Sequence, residues 1–215
     1  MNTGRTYGGE SADARQARQR RQFLDAGRAL FGSVGYRATT VRSLCKQAGL
    51  TDRYFYSNFA STEDLLEAVY RDGMDQLRAA VLQAIAERGD GGTPRQIIDA
   101  ALDGFFAAFE DARLARVCWL EVLGVSPRID RLYTANVGDF AGLLLQLSRG
   151  LFPQWRIDDE RGEVLNIALV GAISQAALHW LLSDYRASRA TMVASTSMLF
   201  QGLAVLIEQP VSTPD

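Results

Sequence analysis

The residues whose types and spacing best suggest a functional site lie in the segment 39–59. This segment reads TTVRSLCKQAGLTDRYFYSNF. Thr39 or Thr40 can begin a helix, because a threonine hydroxyl accepts a hydrogen bond from a backbone N–H of the first turn. Gly49 follows where this helix must end, since glycine adopts positive φ without strain. Thr51 is predicted to cap a second helix. The segment therefore predicts two short helices joined by a glycine turn.

The second of these helices is predicted to present polar side chains outward. Phe55 and Phe59 are spaced to face the interior, whereas Arg53, Tyr54 and Tyr56 face solvent. Two helices joined by about three residues with a central glycine form a helix-turn-helix, whose second helix enters the major groove of DNA. The chemistry expected of this face is hydrogen bonding to bases and phosphates.

The charge distribution indicates the same partner. Residues 1–60 contain ten basic and four acidic residues, a net charge of +6, whereas the rest of the chain carries −8. A basic segment on an acidic protein is typical of a surface that meets a polyanion, with a solvated basic tail as the alternative. Four arginines lie near the start of the first predicted helix: Arg15, Arg18, Arg20 and Arg21. One interpretation is that they contact DNA, along its backbone or in a minor groove. The other is that they form a solvated helix end.

Catalytic and metal-binding groups are sparse in this sequence. It has one histidine, His179, and it contains neither a GxSxG motif nor a phosphate-binding loop. Cys45 and Cys118 lie far apart and form no metal-ligand spacing. The acidic run at residues 158–160 suits the first turn of a helix. We therefore expect no enzymatic activity, no metal and no cofactor.

Helical spacing of apolar residues extends over most of the chain, and no strand pattern of useful length occurs. Residues 1–14 lack such spacing and are predicted to form a flexible tail. We predict an all-α fold of about nine helices. Besides the two short helices within 40–59, the predicted helices are 14–34, 61 to the break at 88–92, 93–109, 112–123, 126–151, 158–185 and 188–209.

The longest apolar stretch, residues 164–182, contains Asn166, Ser174, Gln175 and His179. These polar residues interrupt it too often for a membrane span, so we expect a buried helix of a soluble protein. The first twenty residues are polar and rich in arginine, unlike a secretory signal. We expect no membrane association and a cytoplasmic location.

Between Arg20 and Val69 the sequence resembles the TetR/AcrR family of transcriptional regulators. The resemblance rests on FLDAGRALF, GYRATTV, QAGLT, YFYSNF and the S-x-E-D-L-L start of the following helix, in the family's order and spacing. It implies a three-helix DNA-binding domain over residues 15–60, with the motif at about 40–59. It also implies a ligand-binding and dimerisation domain over residues 61–215. Members typically act as homodimeric repressors that a small molecule releases from operator DNA.

The resemblance also assigns contact roles position by position. Thr40 and Arg42, at the start of the second helix, correspond to phosphate contacts. Tyr56 corresponds to a tyrosine that bonds a phosphate. The residues expected to face base edges are Thr51, Asp52, Arg53 and Tyr54.

Two positions depart from the family pattern, which often has lysine where this chain has Asp52 and Thr62. Asp52 either accepts a hydrogen bond from a cytosine amino group, restrains Arg53, or stabilises the positive end of its own helix. Arg53 is the candidate for bidentate reading of guanine, with a phosphate contact or an exposed arginine as the alternatives.

Aromatic residues cluster in the larger half of the chain, where most are expected to form core. Some are expected to line an apolar cavity between helices, a common site for small molecules. His179 is either a core or interface histidine or a ligand contact. The predicted pocket residues are Phe105, Phe109, Trp119, Tyr133, Phe140 and His179.

The last two long helices are predicted to form a dimer interface, because both are apolar on more than one side. Two such helices from each subunit would pack as a four-helix interface about a two-fold axis. The alternative is that they form intramolecular core only. The predicted interface residues are Gly171, Gln175, Leu178, Leu199 and Leu203.

These observations predict a sequence-specific DNA-binding regulator, a repressor that a small apolar ligand releases from an inverted-repeat operator in double-stranded DNA. The alternative is a helical ligand-binding or scaffold protein whose DNA-binding half is weak or vestigial, and Asp52 is the feature that favours it. Two-fold symmetry predicts half-sites separated by multiples of about 34 Å.

Overall fold

The computed structural model describes residues 11–89, 91–152 and 157–208, of which 206–208 are described by their backbone alone. Over these residues the chain forms nine α-helices and one π-helical turn without strands, which confirms the all-α prediction. The π-helical turn (Val117–Glu121) directly follows α6. The helices are α1 (Ala12–Phe31), α2 (Val41–Ala48), α3 (Asp52–Asn58), α4 (Thr62–Glu87), α5 (Pro94–Phe109), α6 (Ala112–Arg116), α7 (Pro127–Leu151), α8 (Asp159–Leu182) and α9 (Arg189–Glu208).

Side-chain caps begin the long helices where the sequence predicts them. The Ser61 hydroxyl accepts a hydrogen bond from the Asp64 N–H at 3.1 Å. Such a bond satisfies one of the backbone donors that the first turn leaves unpaired. The equivalent caps of α5, α7, α8 and α9 are Thr93, Ser126, Asp158 and Ser188.

The first helix begins and ends earlier than the sequence pattern predicts. Ser11 caps it by accepting from the Ala14 N–H at 3.1 Å, so the last four residues of the predicted tail belong to this helix and its cap, whereas residues 1–10 lie outside the described residues. The helix ends at Gly32, where an added Cβ would lie 2.4 Å from the carbonyl oxygen of Arg113. The close approach of α6 therefore fixes the position at which α1 stops.

The single helix predicted over residues 112–123 is divided in two. Regular α-helix ends at Arg116, and the π-helical turn continues to Glu121. A π-turn carries one extra residue per hydrogen-bonded turn, and such turns are frequent at functional sites. The Trp119 side chain consequently faces the interior of the larger bundle, whereas the Glu121 side chain contacts the loop between α1 and α2.

The core is centred on α4, against which α1, α5 and the π-helical turn pack. In turn α5 packs on α9, and α7 packs on α8. One continuous set of buried apolar side chains runs from Phe23 in α1 through Leu66 in α4 and Phe106 in α5 to Trp180 in α8. The three N-terminal helices and the larger bundle therefore share one core rather than two separate ones.

Helix α8 is less buried than its apolar sequence predicts. Among the described helices it alone is long and apolar enough to cross a membrane by length and composition. Its buried side chains include Leu169 and Trp180, whereas Val164, Ile167 and Leu182 are 41–65% exposed. The prediction of a buried helix over 164–182 is therefore wrong for one face, which lies on the surface of the single subunit.

The contact at Gly32 can be tested by substitution. We expect Gly32→Ala to lower the free energy of unfolding by about 1–3 kcal/mol, because backbone atoms of Arg113 occupy the space of the new methyl group. Gly138→Ala is the matched control, since Gly138 lies within α7 with no atom near its Cβ position. That variant should gain about 0.5–1 kcal/mol from helix propensity. Denaturant titration measures both, and equal shifts in the two variants would contradict this packing.

Candidate DNA interface and ligand cavity

The predicted turn between two short helices is present. Thr40 begins α2: its hydroxyl accepts from the Ser43 N–H at 3.2 Å, while the Ser43 hydroxyl accepts from the Thr40 N–H at 3.0 Å. Gly49 ends α2 with φ of 67°, in the left-handed region that favours glycine. Only Leu50 and Thr51 separate this glycine from α3. The geometry is that of a helix-turn-helix.

The orientation of α3 is set by three aromatic rings. Phe55 is fully buried, and its ring meets that of Phe23 from α1 edge to face at 5.4 Å. Phe59, directly after α3, lies 6.3 Å from the same Phe23 ring. With these two side chains held inside, Tyr54 and Tyr56 are turned outward and are 41% and 60% exposed.

All of the side chains predicted to contact DNA are exposed on one part of the molecule. They lie at the beginning of α2 and along α3, on the side opposite the aromatic rings. These side chains are therefore accessible to solvent on the same part of the molecule. The residues are Thr40, Arg42, Thr51, Asp52, Arg53, Tyr54 and Tyr56.

The first turn of α3 differs from the prediction in which residue caps it. Thr51 occupies the cap position but makes no side-chain capping bond, so the prediction that its hydroxyl caps α3 is wrong. The Asp52 carboxylate accepts instead from the Arg53 N–H at 2.9 Å. A carboxylate at this position is stabilised by the positive end of the helix. Of the three roles open to Asp52, the structure favours this one.

Two arginines of the N-terminal basic cluster are held by the protein itself. The Arg20 guanidinium lies 4.5 Å from the centre of the Phe59 ring and donates to the Asn58 carbonyl at 3.3 Å. Arg21 pairs with Asp25 and Asp72, each at 2.8 Å. These contacts fix α1 to the end of α3 and to α4.

The larger bundle encloses an apolar cavity of about 140 Å³ between α4, α5, α7, α8, α9 and the π-helical turn. None of the charged side chains in the described part of the chain lines it, and the polar groups of its lining come from Tyr133, Asn136, Ser148, Ser174 and Cys118. Burial raises the pKa of the Cys118 thiol to about 12, so this group stays uncharged at neutral pH. The cavity therefore suits an uncharged, apolar molecule or part of a molecule.

Four of the six predicted pocket residues line this cavity: Phe105, Trp119, Tyr133 and Phe140. Phe109 does not line it. The Phe109 ring packs against the Trp119 ring, with 4.8 Å between the two ring centres. His179 does not either, because it is exposed near the end of α8. Most of the remaining lining is aliphatic, such as Leu77, Val81 and Leu147, which periodicity does not distinguish from ordinary core.

The predicted interface residues divide into two groups. Gly171, Gln175 and Leu199 are exposed on α8 and α9, together with Met198 and Val205. Leu178 is half-buried against the core. Leu203 lines the cavity on the inner side of α9.

A contact that sequence reasoning missed joins the cavity wall to the helix-turn-helix. The carboxylate of Glu121, at the end of the π-helical turn, accepts from the Tyr36 N–H at 2.7 Å. Tyr36 lies in the loop between α1 and α2, and Glu121 is only two residues from Trp119 in the cavity wall. The two partners are separated by 85 positions in sequence, so no local pattern signals the contact.

A second contact fixes the other end of α6 to α1. Arg28 pairs with Asp111, whose carboxylate also caps α6 by accepting from the Leu114 N–H at 2.9 Å. The Arg28 guanidinium in addition donates to Gln76 of α4 at 3.2 Å. Burial raises the pKa of Asp111, but the hydrogen bonds and the charge of Arg28 outweigh it and hold that pKa below its usual range.

Comparison with known proteins agrees with this geometry. The family model described as bacterial regulatory proteins, tetR family, matches residues 23–69, which include the second half of α1, all of α2 and α3, and the start of α4. This segment of the chain is similar to the tetR family of bacterial regulatory proteins.

Relatives that match within and beyond this segment are transcriptional regulators of the helix-turn-helix type. The chain is 30% identical over 118 residues to the transcriptional regulator BetI of Escherichia coli O17:K52:H18, a match that covers 55% of this chain and 60% of BetI. It is 26% identical over 198 residues to the transcriptional activator FasR of Mycolicibacterium smegmatis, covering 89% of this chain and 86% of FasR.

A similar fold over most of the chain is found in solved structures. FadR of Bacillus subtilis, solved in complex with stearoyl-CoA, superposes with a TM-score of 0.71 at 19% identity. The superposition covers 83% of this chain and 96% of FadR. At this level of identity the likeness establishes the fold of the larger bundle.

The role of Arg53 can be tested directly. We expect Arg53→Ala to weaken binding to a duplex selected from random sequence by the wild-type protein by about 1–3 kcal/mol, the usual value of a bidentate base contact. Arg95→Ala is the matched control, because Arg95 is a well-exposed arginine at the start of α5. Fluorescence anisotropy measures both affinities. Equal losses in the two variants would contradict a specific role for Arg53.

Proposed function

We propose that the protein is a ligand-responsive repressor that binds an inverted repeat in double-stranded DNA as a homodimer in the cytoplasm. Residues 15–60 form its DNA-binding domain, and residues 61–215 bind the ligand and the second subunit. The observation that carries this proposal is the exposed row of Arg53, Tyr54 and Tyr56 on a glycine-hinged helix, in a chain that also encloses an apolar cavity.

The proposed contacts follow from where each side chain lies. Arg53 and Tyr54, on the exposed face of α3, reach base edges in the major groove. Tyr56 bonds a phosphate through its hydroxyl, and Thr40 and Arg42 hold the backbone at the start of α2, where the helix dipole favours anions. Since Asp52 is occupied at its own helix terminus, it need not oppose the phosphates, which weakens the case for a vestigial DNA-binding half.

Dimerisation is proposed to occur through α8 and α9. Large apolar side chains remain exposed on both helices in the single subunit, and exposed apolar patches commonly mark interaction surfaces. Small residues such as Gly171 lie among them and permit close helix approach. A two-fold axis through this surface would present two copies of α3 to successive turns of the same duplex.

The ligand signal is proposed to pass through the π-helical turn. A molecule in the cavity contacts Trp119, and a shift of this wall changes the position of Glu121 relative to Tyr36. The ligand then alters DNA binding only as far as it binds the two arrangements with different affinity.

Selection from random-sequence duplexes with the purified protein, followed by sequencing, tests the proposed function. We expect enrichment of one inverted repeat whose half-sites lie a multiple of about 34 Å apart. Affinity should also fall steeply with salt, because binding releases counterions from the phosphates. Failure to enrich any sequence would favour the alternative of a ligand-binding or scaffold protein.

The dimer surface can be tested with two leucines of equal exposure. Leu199→Arg places a charge on the α8–α9 surface, and we expect sedimentation velocity to show a monomer at micromolar concentration with weakened DNA binding. Leu123→Arg is the control, because Leu123 is 48% exposed and Leu199 47%, and Leu123 lies outside these helices. A dimer that survives Leu199→Arg would place the interface elsewhere.

The link at Glu121 can be followed through a single amide. We expect Glu121→Ala to speed hydrogen exchange of the Tyr36 amide by about tenfold or more, because a hydrogen bond to a charged acceptor is lost. Glu87→Ala is the control, since Glu87 bonds only within α4. Exchange measured by NMR that is unchanged in Glu121→Ala would show that this bond does not hold the loop.

A further inference from the structure

Helix α8 contains a fully buried polar side chain whose hydrogen-bond acceptor is unused. Asn166 is 0% exposed, and its Nδ2 donates to the Gly162 carbonyl at 2.6 Å. Within the described residues, the Asn166 Oδ1 atom has no hydrogen-bond donor. The other two unpartnered amide oxygens of this part of the chain belong to Gln22 and Asn58, which are only partly buried. A fully buried oxygen without a donor destabilises the fold, so Asn166 needs an explanation that packing alone does not supply.

The position of Asn166 along α8 places it beside the ligand cavity. Residues four and seven positions apart on a helix share one face. Val170 and Ile173 stand in these positions relative to Asn166, and both line the cavity. Asn166 therefore extends the face of α8 that forms the cavity wall.

The neighbouring helix gives the same position. Helices α7 and α8 pack on each other and run in opposite directions, because only residues 152–158 connect them. Arg149 of α7 pairs with Asp159 of α8, which sets the register of the two helices. Asn166 lies seven residues beyond Asp159, and seven residues before Arg149 is position 142. Leu143 and Leu144, next to that position, both line the cavity.

The wall beside Asn166 is the polar side of the cavity. Helices α4 and α5 contribute only apolar side chains to the lining, such as Leu77 and Ile98. Helices α7 and α8 contribute hydroxyl and amide groups, from Tyr133, Asn136, Ser148 and Ser174. The Oδ1 atom of Asn166 adds an acceptor behind this wall, and a ligand on this side of the cavity meets polar groups.

The chemistry of an unpartnered amide oxygen restricts what the ligand carries. An amide oxygen accepts hydrogen bonds and cannot donate them, so the matching group on a ligand is a hydroxyl or an N–H. A carboxylate would place a second acceptor against Oδ1, in a lining without a cation among the described residues. An ammonium group would equally lack a counter-charge there. The matching donor is therefore neutral.

The size and the aromatic lining of the cavity indicate the rest of the molecule. An apolar cavity of about 150 Å³ holds one benzene ring, and the volume here is about 140 Å³. Phe140, one helical turn before Leu144 on α7, lines the same wall. An aromatic ring packs on such a side chain in an edge-to-face or offset arrangement.

We propose that the ligand is a neutral aromatic alcohol of one ring, whose hydroxyl donates to the Asn166 Oδ1 atom and whose ring lies against Phe140. This inference rests on the proposed function, and it names the ligand class and a specificity-determining residue of the same cavity. Binding then supplies the donor that the folded protein lacks.

Three probes of similar size test this inference without DNA. We titrate 4-methylphenol, 4-fluorotoluene and 4-methylbenzoate into the full-length protein and measure each affinity by NMR. The phenol should bind about tenfold more tightly than the fluorinated ring, because fluorine replaces the hydroxyl without donating and leaves Oδ1 unpaired. The benzoate should bind more weakly than both, because its charge is uncompensated. Equal affinities for the phenol and the fluorinated ring, or no binding of the phenol, would overturn the inference.

A substitution at Asn166 tests which atom makes the distinction. Asn166→Leu removes the acceptor at similar size, so the variant should bind 4-methylphenol no more tightly than 4-fluorotoluene. Glu163→Leu is the control, because it places the same residue at an exposed position of α8 and should keep the tenfold preference. A preference retained in Asn166→Leu would place the hydroxyl elsewhere. The comparison of probes in the wild-type protein needs no variant, so it decides the question even if Asn166→Leu fails to fold.

The outcomes also separate this inference from the proposed function. A protein that selects an inverted repeat but does not prefer the phenol retains the function and refutes the ligand class. A protein that prefers the phenol through Asn166 but selects no DNA sequence retains the ligand class and refutes the repressor.

Discussion

The packing of Phe55 and Phe59 against Phe23 is the interaction on which the rest depends. Helix α3 has only seven residues, too few to be stable by itself in water. Its two buried rings fix both its existence and its rotation about its own axis. With that rotation fixed, Tyr54 and Tyr56 have no other direction than outward, and the Gly49 turn sets the angle to α2. The proposed DNA contacts are consequences of this anchoring.

The same helices are tied to the larger bundle closely enough for one to influence the other. Arg28 holds α1 to the start of α6, and Glu121 holds the α1–α2 loop to the end of the π-helical turn. Between these two points lies the wall that carries Trp119 and Cys118. A change in the cavity therefore has a short, continuous route of packed and hydrogen-bonded groups to α1 and the α1–α2 loop. The strength of this coupling depends on how differently the ligand binds the two arrangements of the protein, and not on the distance between the two sites.

Local sequence signals predicted much of this architecture, and contacts between distant elements account for what they missed. Threonine and serine caps, the Gly49 turn and the exposed face of α3 depend on a few neighbouring residues, so they could be read directly. The exchange of roles between Thr51 and Asp52 depends on hydrogen-bond geometry within one turn. The periodicity of apolar residues predicts which face of a helix is apolar, but it does not predict which neighbouring element covers that face. For that reason the sequence pattern does not predict that Leu203 lines the cavity.

Hydroxyl-radical footprinting of the wild-type protein on its selected duplex tests the central claim most directly, because it reports where the backbone is covered. Two copies of α3 related by a two-fold axis predict two equivalent protected regions, whose centres lie a whole number of helical turns apart on one face of the duplex. A single protected region, or uniform protection without register, would contradict the account that α3 reads DNA twice.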